Sequence, residues 1–157
     1  MHRPTVFNHR LLFGISLLLF ASAAVAQQNG SRGFHLESTV GLDPQNCSQT
    51  ADLALPEGGG EVIVCLRASN YDRSEYVLHD LLSEELGVLV SDLPYTLSPR
   101  TSTFYTFAVN VSHSTGFTSA WIARGLTGEL ACEIAWSVVT VGQRGLTRDE
   151  HRPLICP

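Results

Sequence analysis

Short stretches in which apolar and polar residues alternate dominate the chain from Phe34 onward. In Glu61–Ser69 every second side chain is apolar, namely Val62, Val64, Leu66 and Ala68. A period of two is typical of a strand with one buried face, so we predict that this set faces a core. Cys65 falls on the opposite face, where a disulfide would fasten a neighbouring segment to the outer surface of the sheet.

Further segments show strand-like patterns and are separated by Gly, Pro, Asn and Asp. They are Leu36–Leu42, Ala51–Leu55, Glu75–Asp80, Leu86–Val90, Ser102–Val111, Thr115–Arg124 and Leu130–Val141. No long amphipathic helix interrupts them, although Leu81–Leu86 could form one helical turn. Two intervening segments, 56–60 and Ser91–Pro94, are predicted as turns. Short strands in this order favour an all-β fold, an antiparallel sandwich of about seven strands.

The alternation also assigns side chains to faces. In the strand at 75–80, Tyr76, Leu78 and Asp80 share one face. Three later strands have apolar sets that we expect in the core: Tyr105, Phe107, Val109 and Val111; Phe117, Ser119, Trp121 and Ala123; and Leu130, Ile134, Trp136 and Val138. Trp121 and Trp136 are therefore predicted to be core anchors on adjacent strands.

The first 26 residues have the pattern of a cleaved secretory signal peptide. Arg3 and Arg10 precede an apolar run at 11–23, and Ala24-Val25-Ala26 supplies the small residues of a cleavage site. A membrane anchor is the alternative, but the run is short for a span of about 20 residues. We expect a secreted or periplasmic mature chain without a transmembrane segment. Its parts are a flexible start at 27–33, a sandwich at 34–142 and a C-terminal tail at 143–157.

All four cysteines, Cys47, Cys65, Cys132 and Cys156, lie in the mature part. An even number in an exported chain implies two disulfides, for which three connectivities are possible. We favour Cys47 with Cys65 and Cys132 with Cys156, because each pair is close in sequence and would tie a less regular segment to a strong strand. The second bridge would pin the tail.

Several short motifs lie between Cys65 and Ala123. They are Asn70 at a turn, His79-Asp80-Leu81, Leu86-Gly87-Val88-Leu89, Pro94-Tyr95-Thr96-Leu97-Ser98-Pro99 and Ala120-Trp121-Ile122-Ala123. In these motifs the chain resembles a bacterial family of immunoglobulin-like repeats of exported surface proteins, here in a single copy. The resemblance implies an immunoglobulin-like sandwich and a structural or binding module outside the cell, with no catalytic residues. The upstream Cys47 also suits the family, which supports its pairing with Cys65.

Composition and charge argue against several classes of function. The formal net charge is −5 and there is no basic block, so we do not expect nucleic-acid binding. The chain has no lysine, which excludes a lysine nucleophile or Schiff base.

Candidate catalytic and metal-binding groups are few. Ser112-His113-Ser114 is the only Ser/His cluster and is interpreted as a solvated loop. The runs Glu84-Glu85 and Asp149-Glu150-His151 are interpreted in the same way. Metal ligands could come from His35, His79, His113 and Asp80, but the histidines lack the usual ligand spacings. We expect no enzymatic activity, no cofactor and no metal.

The aromatic residues leave two binding functions open. An exposed row drawn from Tyr76, Tyr95, Phe104, Tyr105, Trp121 and Trp136 would favour a small secreted carbohydrate-binding protein. Buried tryptophans and an unpaired edge strand would favour a module that binds another envelope or extracellular protein. We favour the protein-binding module. Tyr95 lies between turn residues and is therefore the candidate surface-binding aromatic.

Overall fold

The computed structural model describes residues 33–142, 154 and 156. The predicted signal peptide, the start at 27–32 and most of the tail at 143–157 lie outside the described residues. None of the described residues forms a helix long and apolar enough to cross a membrane. The described strands are β1 (Phe34–Gly41), β2 (Asp52–Leu55), β3 (Gly60–Asn70), β4 (Tyr76–Ser83), β5 (Gly87–Leu97), β6 (Ser102–Val111), β7 (Thr115–Gly125) and β8 (Leu130–Val141).

The strands form two sheets that face each other. One sheet has the order β1-β3-β6, and the other has the order β2-β8-β7-β4-β5. All neighbours are antiparallel except β2 and β8, which run parallel. When the short β2 is left out of the count, the three-stranded sheet contains the first, second and fifth strands, and the third, sixth and seventh lie in the other sheet. An immunoglobulin-type sandwich divides these six strands in the same way. The predicted all-β, immunoglobulin-like sandwich is confirmed, with eight described strands where about seven were expected.

The core lies between the sheets and contains the apolar side chains that the alternation in β3 and β7 predicts. Val62, Val64, Leu66 and Ala68 are fully buried. On β7 the set Phe117, Ser119, Trp121 and Ala123 is also buried. Successive residues of a strand point to opposite faces, so these alternating sets place the two strands face to face across the core.

The predicted core face of β8 is wrong. Leu130 and Trp136 are exposed, Ile134 is partly buried and only Val138 of the predicted set is buried. The residues directed to the core are on the alternate face: Ala131, Ala135, Ser137 and Val139. The hydroxyls of Ser38 on β1 and Ser137 on β8 are buried 2.8 Å apart. Because β1 and β8 approach this closely, small side chains fit between them where the larger apolar set would not.

The region from β4 to β5 also departs from the prediction. A register shift after Tyr76 turns His79, Leu81 and Ser83 towards the core, in place of Leu78 and Asp80. Leu81–Ser83 continue β4, so the alternative of a helical turn at 81–86 is wrong. β5 runs on through the predicted turn at 91–94 as far as Leu97.

Arg124 explains why β5 continues through Ser91–Pro94, the residues predicted as a turn. Its Nη2 atom lies 2.7 Å from Asp80 Oδ2 and 2.8 Å from Asp92 Oδ1. Asp92 has a positive φ of 51° and its amide donates to Asp80 Oδ1 at 2.7 Å. The irregular backbone is therefore fastened to β4 and β7, which keeps it within the sheet.

Two disulfides join the pairs that the sequence favours. Cys47 and Cys65 have their Cα atoms 5.5 Å apart, and Cys132 and Cys156 have theirs 5.7 Å apart. Cys65 lies on the outer face of β3, opposite to the core set, as expected from the alternation. The first bridge therefore holds the segment after β1 against the outside of the three-stranded sheet.

Candidate functional site

His79, a candidate metal ligand, is fully buried and occupied by hydrogen bonds. Its Nδ1 atom accepts the indole N–H of Trp121 at 3.0 Å, and its Nε2 atom lies 2.9 Å from the carbonyl oxygen of Tyr95. Since an indole nitrogen can only donate, the imidazole proton is assigned to Nε2, which donates to Tyr95. Burial lowers the pKa of His79, so the neutral ring is favoured. Both ring nitrogens thus hold the core together and neither is available to a metal.

The other candidate ligands do not converge. His35 lies beside Glu37 on β1, with 3.8 Å between Nε2 and Oε1, and both side chains are about half exposed. Asp80 is paired with Arg124 on the five-stranded sheet, while His113 lies in the turn between β6 and β7. Among the described residues no group of three His, Cys, Asp or Glu side chains could hold a metal ion.

The remaining polar candidates have local structural roles. Ser112 Oγ and His113 Nδ1 lie 3.3 Å apart in an exposed turn. The carboxylate of Glu85 accepts the Thr118 amide at 3.1 Å and the Ser83 hydroxyl at 2.8 Å, which joins the end of β4 to β7. The run Asp149-Glu150-His151 lies outside the described residues.

The exposed aromatic side chains are spread over the surface. Tyr95 is at the surface, 44% exposed, but on a strand and not in a turn. Phe104, which is 63% exposed, lies on the outer face of the other sheet, and Tyr71 follows the end of β3. Trp136 is 37% exposed on β8, so its prediction as a core anchor is wrong, whereas Trp121 is buried as predicted. These positions do not form a row on one face.

An open groove of about 640 Å³ lies beside β1. Its lining includes His35, Glu37 and Arg67 from the three-stranded sheet, Gln49 from the segment after β1, and Trp136 from β8. An aromatic ring beside charged and amide groups could accommodate a small polar ligand. This groove could not be predicted from the sequence, because its residues come together only through the pairing of strands distant in sequence.

The two sheets have four edge strands, and three of them carry features that discourage further pairing. β2 has only four residues, and β5 has three register shifts together with Pro94 and the positive φ of Asp92. β1 carries the charged Glu37 on its exposed face, and the segment after it returns so that the Val40 amide donates to the Thr50 carbonyl at 2.9 Å. Short length, bulges, proline and charge are the usual means by which a sheet edge avoids another chain.

β6 has none of these features. It pairs with β3 in unbroken register from Ser102 to Val111 and contains no charged residue, proline or glycine. Aromatic and β-branched residues, which favour extended backbone, make up most of it. No strand in the described part of the chain pairs with its other side. β6 is therefore a long, regular and uncharged sheet edge.

The direction of the backbone groups of β6 follows from one hydrogen bond. The Asn70 amide donates to the Thr101 carbonyl at 2.9 Å, so Thr101 directs its carbonyl towards β3. Backbone groups alternate between the two sides of a strand. The residues whose N–H and C=O groups point away from β3 are thus Ser102, Phe104, Thr106, Ala108 and Asn110. Their side chains lie on the outer face of the sheet.

The sequence predicted the bounds of β6 but not that it is an edge. Alternation within a segment reports which side chains are buried, whereas the edge depends on the order of the strands. The inner-face residues Tyr105, Phe107 and Val109 are only partly buried, although their pattern predicts a core face. Partial burial of an otherwise regular apolar set is the local sign of an edge position.

No family model matches the chain. No curated protein matches it either. The resemblance to bacterial immunoglobulin-like repeats therefore stays a prediction.

Solved structures give distant matches. The ApaA protein of Bordetella pertussis is 11% identical with a TM-score of 0.47, over 71% of this chain and 95% of that one. A Northeast Structural Genomics Consortium target is 13% identical with a TM-score of 0.45, over 79% and 97%. A Niemann-Pick type C2 protein from the Japanese carpenter ant is 10% identical with a TM-score of 0.37, over 73% and 97%. With TM-scores below 0.5, these likenesses carry no functional assignment.

Proposed function

We propose that this chain is an exported, non-enzymatic binding module that takes up an extended segment of another envelope or extracellular protein along β6. The observation that carries the proposal is the contrast between the four edges: three have features that discourage pairing, and β6 presents ten uncharged residues in regular register. An added strand would bond to the outward N–H and C=O groups of β6, and these bonds would supply affinity without regard to sequence.

Specificity would come from the side chains of alternate residues. Phe104 offers a large exposed ring and Ala108 a small exposed surface on the same outer face. A bound segment with an apolar residue opposite Ala108 would pack that side chain on the sheet, whereas a charged residue there would lose hydration without a partner. The segment recognised is therefore extended and carries an uncharged, apolar residue near its centre.

Export of the module rests on the signal-like residues 1–26 and on the two disulfides. Disulfides persist in oxidising compartments and are rare in the cytosol of mesophiles. Expression of the full chain in a bacterial host and N-terminal sequencing of the exported product should give Gln27 as the first residue. Retention of the whole chain at the inner membrane would contradict the export proposal.

Binding along β6 is tested with a displayed library of extended decapeptides and a matched pair of variants. Ala108→Lys places a charge on the β6 edge, and Ala54→Lys places the same charge on the exposed edge strand β2. Peptides selected on the wild-type protein should bind Ala108→Lys at least about tenfold more weakly and Ala54→Lys equally well. Amide exchange at Thr106 and Ala108 should slow when peptide binds. Equal binding to both variants would overturn the proposal.

Carbohydrate binding is a second candidate, favoured by the groove beside β1. Trp136 supplies an aromatic surface there, and Glu37, Gln49 and Arg67 supply polar groups that could bond to hydroxyls. A glycan array probed with the wild-type protein and with Arg67→Ala tests it. A specific glycan signal that Arg67→Ala removes would support this candidate, and an array without signal would contradict it.

A further inference from the structure

The β6 edge is complementary to itself, and this property rests on the proposed function because it concerns the same edge. We propose that two copies of this chain pair antiparallel through β6 about a two-fold axis at Thr106, forming one six-stranded sheet. The occupant of the edge in the absence of another partner is thus a second copy. Binding of another protein then requires the two copies to separate.

The register follows from the direction of the backbone groups. Only Ser102, Phe104, Thr106, Ala108 and Asn110 direct N–H and C=O groups outward, as the bond from Asn70 to Thr101 establishes. An axis at Thr106 is the one antiparallel arrangement that gives every member of this set a partner. Each directly opposed pair can exchange two hydrogen bonds. A shift of the axis to either side leaves outward groups at one end without partners.

The side chains on the outer face fit the same register. Phe104 lies opposite Ala108 of the second copy, so a large ring meets a small side chain, and the symmetry repeats this contact on the other side of the axis. Phe104 is 63% exposed in the single chain and gains a neighbour across the new strand pair. Ser102 lies opposite Asn110, and two polar side chains meet at each end.

The inner face gives an independent argument. Tyr105 and Phe107 are only partly buried, with ring centroids 6.3 Å apart. In this register Tyr105 of one copy lies opposite Phe107 of the other, at a position where opposed side chains approach most closely. Two aromatic pairs would therefore form beneath the new strand pair.

Charge does not oppose the pairing. The chain as a whole is acidic, with a formal net charge of −5, so two copies repel each other in most orientations. β6 contains none of the charged residues. Pairing of two β6 strands therefore brings no like charges of these strands into contact. An isologous interface of this kind uses the same patch on both copies and closes without forming a filament.

A register-specific cross-link tests the pairing directly. In the proposed dimer the two Thr106 Cα atoms lie about 5.5 Å apart, within the range that a disulfide spans. The Thr106→Cys variant should therefore form a covalent dimer under mild oxidation. The Ala108→Cys variant is the matched control, because its two copies lie about 13 Å apart along the strands and should cross-link far less. A mixture of Phe104→Cys and Ala108→Cys should give the mixed dimer.

Sedimentation equilibrium supplies a measurement without new cysteines. The wild-type protein should show a monomer–dimer equilibrium that Ala108→Lys weakens at least about tenfold and Ala54→Lys leaves unchanged. A monomeric wild-type protein at all concentrations, or equal cross-linking of the Thr106→Cys and Ala108→Cys variants, would overturn the pairing. Peptide binding to a monomer would then still support the proposed function, whereas a dimer that no peptide dissociates would support the pairing and contradict that function.

Discussion

The imidazole of His79 accepts the indole N–H of Trp121 on the neighbouring strand, with 3.0 Å between Nδ1 and Nε1. The rings meet edge to face, with centroids 5.9 Å apart. The bond joins β4 to β7, and the second ring nitrogen joins β4 to β5 through the Tyr95 carbonyl. One buried side chain thus links three neighbouring strands of the five-stranded sheet, and it can do so only while the ring is neutral.

We predict that His79 makes the protein less stable in mild acid. Burial lowers its folded-state pKa below the ordinary 6.5, so the unfolded chain takes up the proton first. Stability is therefore complete above about pH 6.5 and falls as the pH drops towards the folded-state pKa, by at most about 1.4 kcal/mol per pH unit. Urea unfolding across this range should show the loss.

His79→Gln identifies the group responsible. Glutamine can accept from Trp121 and donate to Tyr95 but does not titrate, so the loss between about pH 6.5 and pH 5 should largely disappear. His113→Gln, in the exposed turn, should keep the wild-type dependence. An unchanged dependence in His79→Gln would assign the effect to another residue.

Asn70 joins the end of β3 to the opposite sheet, and we predict that it contributes strongly to stability. Its buried amide donates to the carbonyls of Ser74 and Leu97 at 2.9 Å each, and its Oδ1 accepts the Asp72 amide at 2.9 Å. Asn70→Ala should cost about 2 to 3 kcal/mol because a buried acceptor at Leu97 and a part-buried one at Ser74 lose their donor. Asn70→Asp should cost more, because it directs a carboxylate at those carbonyls.

Denaturant unfolding measures both changes, with Asn110→Ala and Asn110→Asp on the exposed face of β6 as controls. At protein concentrations at which the chain is monomeric, the Asn110 variants should stay within about 0.5 kcal/mol of the wild type. If Asn70→Asp proved as stable as Asn70→Ala, the assigned orientation of the amide would be wrong.

The Cys47–Cys65 disulfide should stabilise the protein without determining its fold. The bridge closes a separation of 18 residues, for which the loss of chain entropy in the unfolded state is worth roughly 3 kcal/mol. Since Cys65 lies on the outer face, Cys47→Ala with Cys65→Ala should lower the urea midpoint but retain the near-ultraviolet signal of the core tryptophan. Loss of that signal under native conditions would show that the bridge is needed to form the core.

Strands were predictable from the sequence where a single alternation runs without interruption. The bounds of β6 and β8 agree with their predictions, whereas β3 is one residue longer at each end and β7 is one residue longer at its C-terminal end. On β8 both faces contain apolar residues. The choice between them depends on the close approach of Ser38 and Ser137, a contact 99 residues apart in sequence.

Irregular features were predictable only in part. The turn predicted at 91–94 is wrong, because these residues lie within β5, where the ion pairs that Arg124 makes with Asp80 and Asp92 keep them in the sheet. The register shift after Tyr76 reverses the faces of β4 and brings His79 into the core. The candidate edge at β6 likewise depends on strand order, which alternation within one segment does not encode.

The glycine turn between β2 and β3 offers a sharply matched pair of substitutions. Gly59 has a φ of +71°, and a Cβ there would lie 1.8 Å from the Val111 carbonyl oxygen. Its amide also closes the turn by donating to the Pro56 carbonyl at 3.1 Å. At the neighbouring Gly60 a Cβ would meet nothing within 4 Å. The two positions therefore differ in backbone conformation and space while sharing one turn.

Gly59→Ala should destabilise the protein by about 2 to 4 kcal/mol, because the methyl group forces the turn away from the end of β6 and the left-handed backbone disfavours alanine. Gly60→Ala should change stability by no more than about 0.5 kcal/mol. Thermal and urea unfolding of the two variants measure the difference. Equal stability would mean that the turn relaxes without cost, and that the contact of Gly59 with Val111 does not hold β2 and β3 in position against β6.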